Sequence, residues 1–320
     1  MVKTFKEITV AVPHRISGFF EIVDKVNGKK ISNPEQIGST GAGFNLSAIG
    51  KTSVSYKELE SNNKINCKIS INDKEINEQA ETTYFIFNYI KKFLKVPVEI
   101  TINHHFDLPV GCGYGASGSG ALGVIIGLNR LLRLELNYFE RGRIAHISEV
   151  VNKTGLGTVC GQLGGGLCIL KEPGYPCVHQ KIVTSNNLNI LCGSFGMIHT
   201  KSILSDPILS SKIKEAGKRA LIKLKLNPTV KTFIDTSIEF VYDTEILDIL
   251  ELENIKELIE TLNKLDIIGA SMNQLGRSVY AFCKNTDKQK VFEIFESYMP
   301  EIKIFDLKIN KKSPLIMKSK

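Results

Sequence analysis

The hydrophobic pattern of the first hundred residues changes between strand-like and helix-like segments. Residues 5–12 (FKEITVAV) and 65–71 (INCKISI) alternate or are rich in β-branched side chains, which predicts two strands. Residues 78–94 carry apolar side chains at helical spacing, which predicts a helix. A strand-like segment at 98–102 then leads through a polar turn at 103–107 (NHHFD) into a glycine-rich stretch.

Further along the chain the same pattern predicts more helix than strand. The predicted elements are a helix at 137–152, a second glycine-rich loop at 154–166, a buried strand at 188–198 and late strands at 278–283 and 302–309. Helical patterns dominate after about residue 200. This succession predicts an α+β protein, and 320 residues suffice for two cores. We place the two domains at 1–185 and 186–320.

The composition is typical of a globular protein in water, with 42% apolar and 23% charged residues. No stretch approaches the roughly 18 apolar residues that cross a bilayer. The first segment, MVKTFKEITVAVPHR, lacks the apolar region of a secretory signal. The 7 cysteines are scattered without a CxxC pair, which predicts reduced thiols and neither a zinc ribbon nor a disulfide framework. We therefore expect a cytoplasmic protein without a membrane partner.

The formal charge of +8 is compatible with nucleic acid or with a small anionic substrate. Most of the cations are lysines spread along the chain, and no basic–aromatic interleaving of the kind that binds single strands is present. A solvated lysine surface therefore explains the charge better than a nucleic-acid site. We expect no nucleic-acid partner.

The strongest chemical signal is LPVGCGYGASGSGALGVIIGLNRLL, residues 108–132, where five glycines fall within ten residues before an apolar helical stretch. Glycine permits positive φ and close approach of the backbone, so clustered amides can point at one anion. The free N–H groups at the start of the following helix act in the same direction. Close helix packing would explain one or two glycines, but five around two serines indicate a phosphate site.

Two widespread nucleotide motifs fit this stretch poorly. The pattern GxxxxGK[ST] is absent, and its nearest approach at 45–52 (NLSAIGKT) starts with asparagine. Residues 113–118 satisfy GxGxxG, and Glu135 lies at about the distance of a ribose contact. A proline and a polar turn separate that match from its strand. A dinucleotide-dependent dehydrogenase stays open as an alternative.

Residues 109–117 (PVGCGYGAS) closely resemble the PxGxGLGSS phosphate loop of the GHMP kinases. Residues 12–22 (VPHRISGFFEI) resemble the first motif of that family, PGKxxLxGE, and residues 154–166 resemble its segment that ends in paired glycines. The three segments stand in the order of the family and span about half of the chain. By this resemblance the chain is identified as a member of the GHMP kinase superfamily.

Within that superfamily the variant forms are most similar to the archaeal pantoate kinases. The similar segments are 13–22, 38–47, 108–122, 146–159 and 271–282. The resemblance implies ATP-dependent phosphorylation of the terminal hydroxyl of pantoate, a step toward coenzyme A. It also implies an N-terminal domain like the second domain of ribosomal protein S5, a ferredoxin-like C-terminal domain and a nucleotide between them.

The resemblance also implies roles for individual residues. The expected nucleotide-binding residues are Pro109, Gly111, Gly113, Tyr114, Gly115, Ala116, Ser117, Gly118 and Ser119. Ser117 aligns with the metal-binding serine and Glu149 with its carboxylate partner, so both are expected on Mg²⁺. An ordinary surface acid on an amphipathic helix is the alternative interpretation of Glu149.

Arg15 aligns with the basic residue of the first motif. A guanidinium can hold the carboxylate of pantoate bidentately or reach the transferring phosphoryl group. His14 beside it is either a substrate contact or a structural histidine. The expected catalytic residues are Arg15, Ser117 and Thr158, and the expected substrate contacts are His14, Arg15, Ser39, Thr154 and Thr158.

The chain departs from the family pattern at three places. Ala116 replaces the first serine of the usual pair, and Thr158 stands where mevalonate-type members carry a catalytic aspartate. Residues 269–278 (GASMNQLGRS) replace a motif that is usually rich in glycine and alanine. Threonine is no base, so we give Thr158 an orienting role and name no general base. In a dissociative transition state the hydroxyl proton can leave late.

Other interpretations stay open at the level of sequence. The tandem His104–His105 is favoured as a turn feature over a metal site, because no other cluster of ligand residues accompanies it. A GHMP kinase for homoserine or mevalonate is the nearest alternative function. A non-enzymatic RNA-binding module would use the positive charge and the S5-like half. A homodimer, the commonest assembly, is the expected oligomer.

Overall fold

A computed structural model describes residues 6–60, 64–198 and 206–319. Its strands, numbered along the chain, are β1 (Glu7–Val23), β2 (Lys25–Val26), β3 (Lys29–Lys30), β4 (Gly38–Glu58), β5 (Asn66–Ile71), β6 (Lys74–Glu75), β7 (Val98–Phe106), β8 (Leu167–Leu170), β9 (His179–Ile182), β10 (Asn189–Gly196), β11 (Gly269–Met272), β12 (Arg277–Cys283), β13 (Lys303–Leu307) and β14 (Leu315–Ser319). Its α-helices are α1 (Glu81–Lys91), α2 (Ala116–Leu132), α3 (Tyr138–Asn152), α4 (Thr158–Gly164), α5 (Pro207–Leu226), α6 (Val230–Asp243), α7 (Ile246–Ile249), α8 (Glu253–Asn263) and α9 (Lys288–Glu296). A 3₁₀ helix, Asn77–Gln79, precedes α1.

The first sheet is built on the long antiparallel pair of β1 and β4. Its strand order is β14–β1–β4–β7–β5–β6, and β8 pairs with the first part of β4 and with β9. Helices α1, α2 and α3 cover this sheet through a core of buried aliphatic side chains. Helix α2 lies close to β4, because Gly123 and Gly127 face Thr52 and Val54 with no side chain of their own.

The second sheet has the antiparallel order β11–β12–β10–β13 and packs against α6, α8 and α9. Its core is continuous with residues of β1 and β4. The ring of Phe44 on β4 lies 4.8 Å from that of Phe282 and 5.2 Å from that of Tyr280, both on β12. This aromatic contact fixes the second sheet against the inner end of the first one, where the cavity described below opens.

Most predicted elements are present, but four segments differ from expectation. β1 does not stop at residue 12 but continues to residue 23. Residues 10–16 and 18–20 are buried on both faces of the strand, so most of this part lacks the alternation by which a strand is recognised. The expected turn at 103–107 is mostly the end of β7. Part of the expected loop at 154–166 is α4, whose apolar residues pack into the core. Residues 315–319, for which the pattern predicted no strand, form β14, which pairs with β1.

The cysteines also differ from expectation, because Cys160 and Cys177 form a disulfide. The prediction of reduced thiols throughout was therefore wrong for this pair, which joins α4 to the connection between β8 and β9. The other five are free thiols, and four of them are buried. No helix in the described ranges is long and apolar enough to cross a membrane.

The passage from the first sheet to the second falls between β9 and β10. The predicted boundary at residue 185 lies in that interval. β14 returns from the end of the chain to pair with β1, so the two sheets do not divide the sequence cleanly. The division into 1–185 and 186–320 stays a proposal.

Candidate active site

A cavity of about 480 Å³ opens between the two sheets. Its walls come from the loop between β7 and α2, the connection from α3 to α4, and the facing parts of β1 and β4. Residues 274 and 275, between β11 and β12, and residues 197 and 198, after β10, complete it. Both halves of the molecule therefore contribute to one cavity.

The glycine-rich loop has the backbone that its composition predicts. Gly111 and Gly113 have φ values of 79° and 82°, and Gly115, the residue that caps α2, has a φ of 67°. Side chains strain a backbone in this left-handed region, so glycine is favoured there. The loop and the 17-residue helix α2 thus present backbone amides and the positive end of a helix dipole to the cavity.

The second sheet holds this loop from behind. The carbonyl oxygen of Cys112 accepts hydrogen bonds from Ser278 Oγ at 2.8 Å and from Asn273 Nδ2 at 3.2 Å. Gly276 packs so closely that a Cβ there would overlap the same carbonyl. The segment 269–278, which departs from the family pattern in sequence, therefore acts on the backbone of the phosphate loop.

Ser117 and Glu149 meet at the first turn of α2. Ser117 Oγ donates a hydrogen bond of 2.7 Å to Glu149 Oε1, and the other carboxylate oxygen accepts from the backbone N–H of Val159 at 3.3 Å. Gly155 leaves room for the carboxylate, since a Cβ there would lie 2.5 Å from Oε1. The expected metal pair is thus brought together.

Glu149 is only 1% exposed, which excludes the interpretation as a surface acid. Burial raises the pKa of its carboxyl from 4.5 to about 7, while the hydrogen bonds from Ser117 and Val159 act in the opposite direction. A nearby cation would favour the ionised form. This carboxyl is therefore poised between its two protonation states near neutral pH.

Arg15 lines the cavity from β1 and is 2% exposed. Its Nη1 donates to Asn45 Oδ1 at 3.3 Å and lies 3.6 Å from Cys168 Sγ. Within the described ranges no carboxylate forms an ion pair with it. Gly161 provides the space, because a Cβ at that position would overlap the guanidinium. A buried cation without an acidic partner is a strong site for an anionic ligand.

His14, by contrast, does not line the cavity. It is fully buried, its Nδ1 lies 2.9 Å from the carbonyl oxygen of Tyr114, and its ring packs on Phe106. Burial lowers its pKa to about 4, so the ring is neutral at physiological pH. The structure places His14 as a support of the phosphate loop, and a substrate contact would require a rearrangement.

The remaining expected site residues divide in the same way. Of the nucleotide set, the cavity is lined by Gly111, Gly113, Tyr114, Gly115, Ala116 and Ser117, but not by Pro109, Gly118 or Ser119. Ser119 points away, and its Oγ donates to Val12 O at 3.2 Å. Of the substrate set, Ser39, Thr154 and Thr158 all line the cavity.

The tandem histidines, His104 and His105, lie in β7 and not in the expected turn. The ring of His104 is buried and hydrogen-bonded to the hydroxyl groups of Thr52 and Thr83.

Sequence reasoning missed the apolar wall and one polar side chain. The wall is formed by Phe19, Phe20, Ala42, Leu156 and Leu170. Residues 16–23 carry no regular alternation of apolar and polar side chains. This is the one feature of the sequence that could have indicated a strand buried on both faces. Gln162, fully buried on α4, contacts the phosphate loop, and no sequence motif distinguishes it from a core residue.

Comparisons with known proteins agree with this site. Residues 81–166 match the family described as the GHMP kinases N terminal domain. A pantoate kinase of Methanocaldococcus jannaschii is 34% identical over 285 residues, covering 89% of this chain and 96% of that protein. A pantoate kinase of Thermococcus kodakarensis is 28% identical over 295 residues, covering 90% of this chain and 91% of that protein.

A solved structure described as a phosphotransferase related to the CoA biosynthesis pathway has a similar fold, with a TM-score of 0.84. It is 24% identical and the alignment covers 97% of this chain and 98% of that one. The predicted two-domain α+β fold is therefore confirmed over nearly the full length. By the match of its phosphate-loop region and its full-length relatives, the chain belongs to the GHMP kinases.

Proposed function

We propose that this protein transfers the γ-phosphoryl group of ATP to the terminal hydroxyl of pantoate and so makes 4-phosphopantoate. The observation that carries the proposal is the buried Arg15, which has no ion-pair partner among the described residues and shares one cavity with a phosphate loop. A substrate that carries a carboxylate at one end and a primary hydroxyl at the other suits such a cavity. The names of the full-length relatives support pantoate as that substrate.

Arg15 would hold the substrate carboxylate. Its guanidinium is a planar fork that matches a carboxylate with two parallel hydrogen bonds. Asn45 orients the fork from one side through its Oδ1. Ser39, Thr154 and Thr158 would add hydroxyl contacts along the cavity, and Thr158 would orient the acceptor hydroxyl.

The apolar wall favours pantoate over homoserine. Pantoate carries two methyl groups beside its reacting carbon, and the side chains of Phe19, Phe20 and Leu170 give these methyl groups an apolar surface. Homoserine carries an ammonium group in addition to its carboxylate. Among the described residues that line the cavity, only Glu81 is acidic. An ammonium group would therefore lose its hydration with little compensation.

The phosphate side follows from the loop and from α2. Backbone amides of residues 111–119 and the helix dipole would neutralise the triphosphate. Phosphoryl transfer needs mainly this positioning and charge neutralisation. No aspartate stands at position 158, so we name no general base. In a dissociative transition state the hydroxyl proton can leave late, to a phosphate oxygen or to water.

The residues at Ser117 and Glu149 fit Mg²⁺. Both offer hard oxygen ligands, and the raised pKa of the Glu149 carboxyl indicates an acid that a cation would stabilise in its ionised form. Bound there with the phosphates, Mg²⁺ would supply charge neutralisation. The described residues contain no group of three His, Cys, Asp or Glu side chains that could hold a metal alone. Phosphate oxygens and waters would therefore complete the shell.

Localisation and assembly are inferred from the sequence alone, with the homodimer as the commonest assembly. We infer a cytoplasmic enzyme that acts on small molecules and assembles as a homodimer. Size-exclusion chromatography with light scattering tests the dimer.

The proposal is tested by a coupled ADP-release assay with pantoate, pantothenate, homoserine and mevalonate. We expect pantoate to have the highest kcat/KM of the four, with 4-phosphopantoate identified by mass spectrometry. ADP release with pantoate no faster than without an acceptor would overturn it. A preference for homoserine would replace pantoate with the alternative substrate and leave the kinase assignment intact.

A further inference from the structure

Gln162 is a fully buried amide that no catalytic role accounts for. It lies on α4, and its Nε2 donates two hydrogen bonds of 3.0 Å, one to the carbonyl oxygen of Pro13 and one to that of Gly115. Both acceptors belong to backbone that carries site residues. The amide therefore bridges three elements: β1, the start of α2 and α4 itself.

The two acceptors stand at defined places relative to the site. Gly115 caps α2, and its carbonyl also accepts the helical hydrogen bond from Ser119 N. Pro13 lies two residues before Arg15 on β1. Gln162 therefore links the start of the phosphate-binding helix to the strand that holds the anion-binding arginine.

A second contact extends the link to the substrate side. The backbone carbonyl of Gln162 accepts a hydrogen bond of 3.0 Å from Asn45 Nδ2, and Asn45 Oδ1 accepts from Arg15 Nη1. The main chain of Gln162 thus contacts Asn45, which is hydrogen-bonded to Arg15, and its side chain contacts Gly115 at the start of α2.

The direction of the side-chain amide is fixed by chemistry. If the amide were turned by 180°, its oxygen would face two carbonyl oxygens, which donate nothing. In the observed direction Oε1 has no hydrogen-bond partner in the described ranges, and it faces Gly118, where an added Cβ would lie 2.7 Å from it. A buried amide oxygen without a partner destabilises the fold. The two donor bonds are thus what the side chain contributes.

We propose that Gln162 is a positioning residue that holds the phosphate-binding end of α2 in register with Arg15. This inference rests on the proposed function, because it assumes that the donor and the acceptor bind on these two elements. Phosphoryl transfer depends on the alignment of attacking oxygen and phosphorus, and a displacement of about 1 Å can reduce the rate roughly a hundredfold. The two hydrogen bonds of Gln162 join the N-terminal end of α2 and the strand of Arg15 to the same side chain.

The main test is Gln162→Leu, which removes both donor bonds and keeps the bulk. We expect kcat to fall by about 10- to 100-fold, a larger change than in KM for ATP or for pantoate. We also expect the amount of 4-phosphopantoate formed per ADP released to fall, since a misaligned acceptor lets water compete. A loss of folded protein alone would lower the amount of active enzyme and leave both KM values and this ratio at their wild-type values.

A second variant, Gln162→Glu, keeps the shape and adds a pH dependence. A protonated carboxyl still donates one hydrogen bond, whereas an ionised one faces two carbonyl oxygens and repels them. We expect kcat of this variant, relative to wild type, to fall as pH rises, at temperatures where circular dichroism shows it folded. If Gln162→Leu does not fold, this pH profile decides the question.

The matched control is Asn129→Leu, at the other end of α2. The Asn129 amide also bonds backbone, accepting from Leu136 N at 2.9 Å and donating to Leu136 O at 3.1 Å, far from the cavity. It should lower Tm without changing kcat or product per ADP. Wild-type product ratios and parallel pH profiles in the Gln162 variants would overturn the inference. Absence of 4-phosphopantoate with the wild-type enzyme would instead overturn the proposed function.

Discussion

Two buried charged side chains, Arg15 and Glu149, determine the chemistry of the cavity. Each is less than 3% exposed, and neither has an ion-pair partner in the described parts of the chain. Such groups are costly in the free protein and are stabilised by a ligand of opposite charge. We interpret Arg15 as the site of the substrate carboxylate and Glu149 as that of the metal.

The first prediction concerns Arg15. Arg15→Ala should reduce kcat/KM for pantoate by about 10- to 150-fold, since a charged hydrogen bond contributes about 1.5–3 kcal/mol. Arg15→Lys keeps the charge without the planar fork and should fall between wild type and alanine. KM for ATP should change little in both. A collapse of kcat with unchanged KM for pantoate would instead place Arg15 on the transferring phosphoryl group.

The second prediction concerns Ser117. Ser117→Ala removes a hydroxyl ligand from the proposed Mg²⁺ site and should lower kcat by about a hundredfold or more. The loop amides remain, so binding of ATP should persist. Steady-state rates across a Mg²⁺ titration measure the effect. The control is Ser148→Ala, on the residue before Glu149, which removes a hydroxyl that donates to Ala145 O. Wild-type turnover in Ser117→Ala would contradict the alignment.

The third prediction concerns Glu149 and the pH dependence of stability. Its pKa is about 7 in the folded protein and 4.5 in an ordinary carboxyl, so the folded state favours the protonated form. The preference of the folded state for the protonated carboxyl therefore stabilises the protein fully below about pH 4.5. This stabilisation is lost as the pH rises through 7. Without metal, Glu149→Gln should remove this loss, which amounts to about 3 kcal/mol.

Urea unfolding of both proteins between pH 4.5 and 8 in chelator measures the effect. The variant should gain stability relative to wild type as pH rises, although it loses activity. The exposed Glu172→Gln should show no such gain. A constant difference across the pH range would mean that the Glu149 carboxyl titrates normally.

Helices and strands whose apolar positions repeat regularly are predicted from the sequence. Elements that are buried on two faces lack this repeat and are missed. The helix at 137–152 was predicted because its polar and apolar positions repeat, and α3 occupies nearly that range. The strand from residue 13 onward and α4 were missed. Both lie inside the molecule and carry little alternation. The two hydrogen bonds of Gln162 depend on such packing, so no local pattern predicts them.

The fourth prediction belongs to the segment between β11 and β12. Gly276→Ala would drive a Cβ into the carbonyl of Cys112 and displace the phosphate loop. We expect KM for ATP to rise by about tenfold or more, because the loop amides lose their alignment with the phosphates. Gly28→Ala, in the turn between β2 and β3, has φ of 77° with open space around it and serves as a strain control. Equal KM for ATP in both variants would refute the contact.

At the scale of the whole molecule, motifs predicted the family and the fold, while long-range pairings needed the structure. Residues 12–22, 109–117 and 154–166 were expected in one site from their resemblance, and the cavity brings them together. Two long-range pairings were not predictable from the sequence. The spacing of Cys160 and Cys177 in the sequence does not indicate a disulfide. Nothing in the sequence of residues 315–319 predicts that they pair with β1. The positive charge alone does not distinguish a protein that binds a small anion from one that binds nucleic acid.

We propose that one cavity holds the carboxylate of the acceptor on Arg15 and the triphosphate on the loop before α2. The most direct test is a crystal structure with pantoate and a non-hydrolysable ATP analogue. We expect two hydrogen bonds of about 2.7–2.9 Å from the Arg15 guanidinium to the carboxylate, with the terminal hydroxyl directed at the γ-phosphate. A structure in which Arg15 binds the γ-phosphate and the carboxylate lies elsewhere would contradict it.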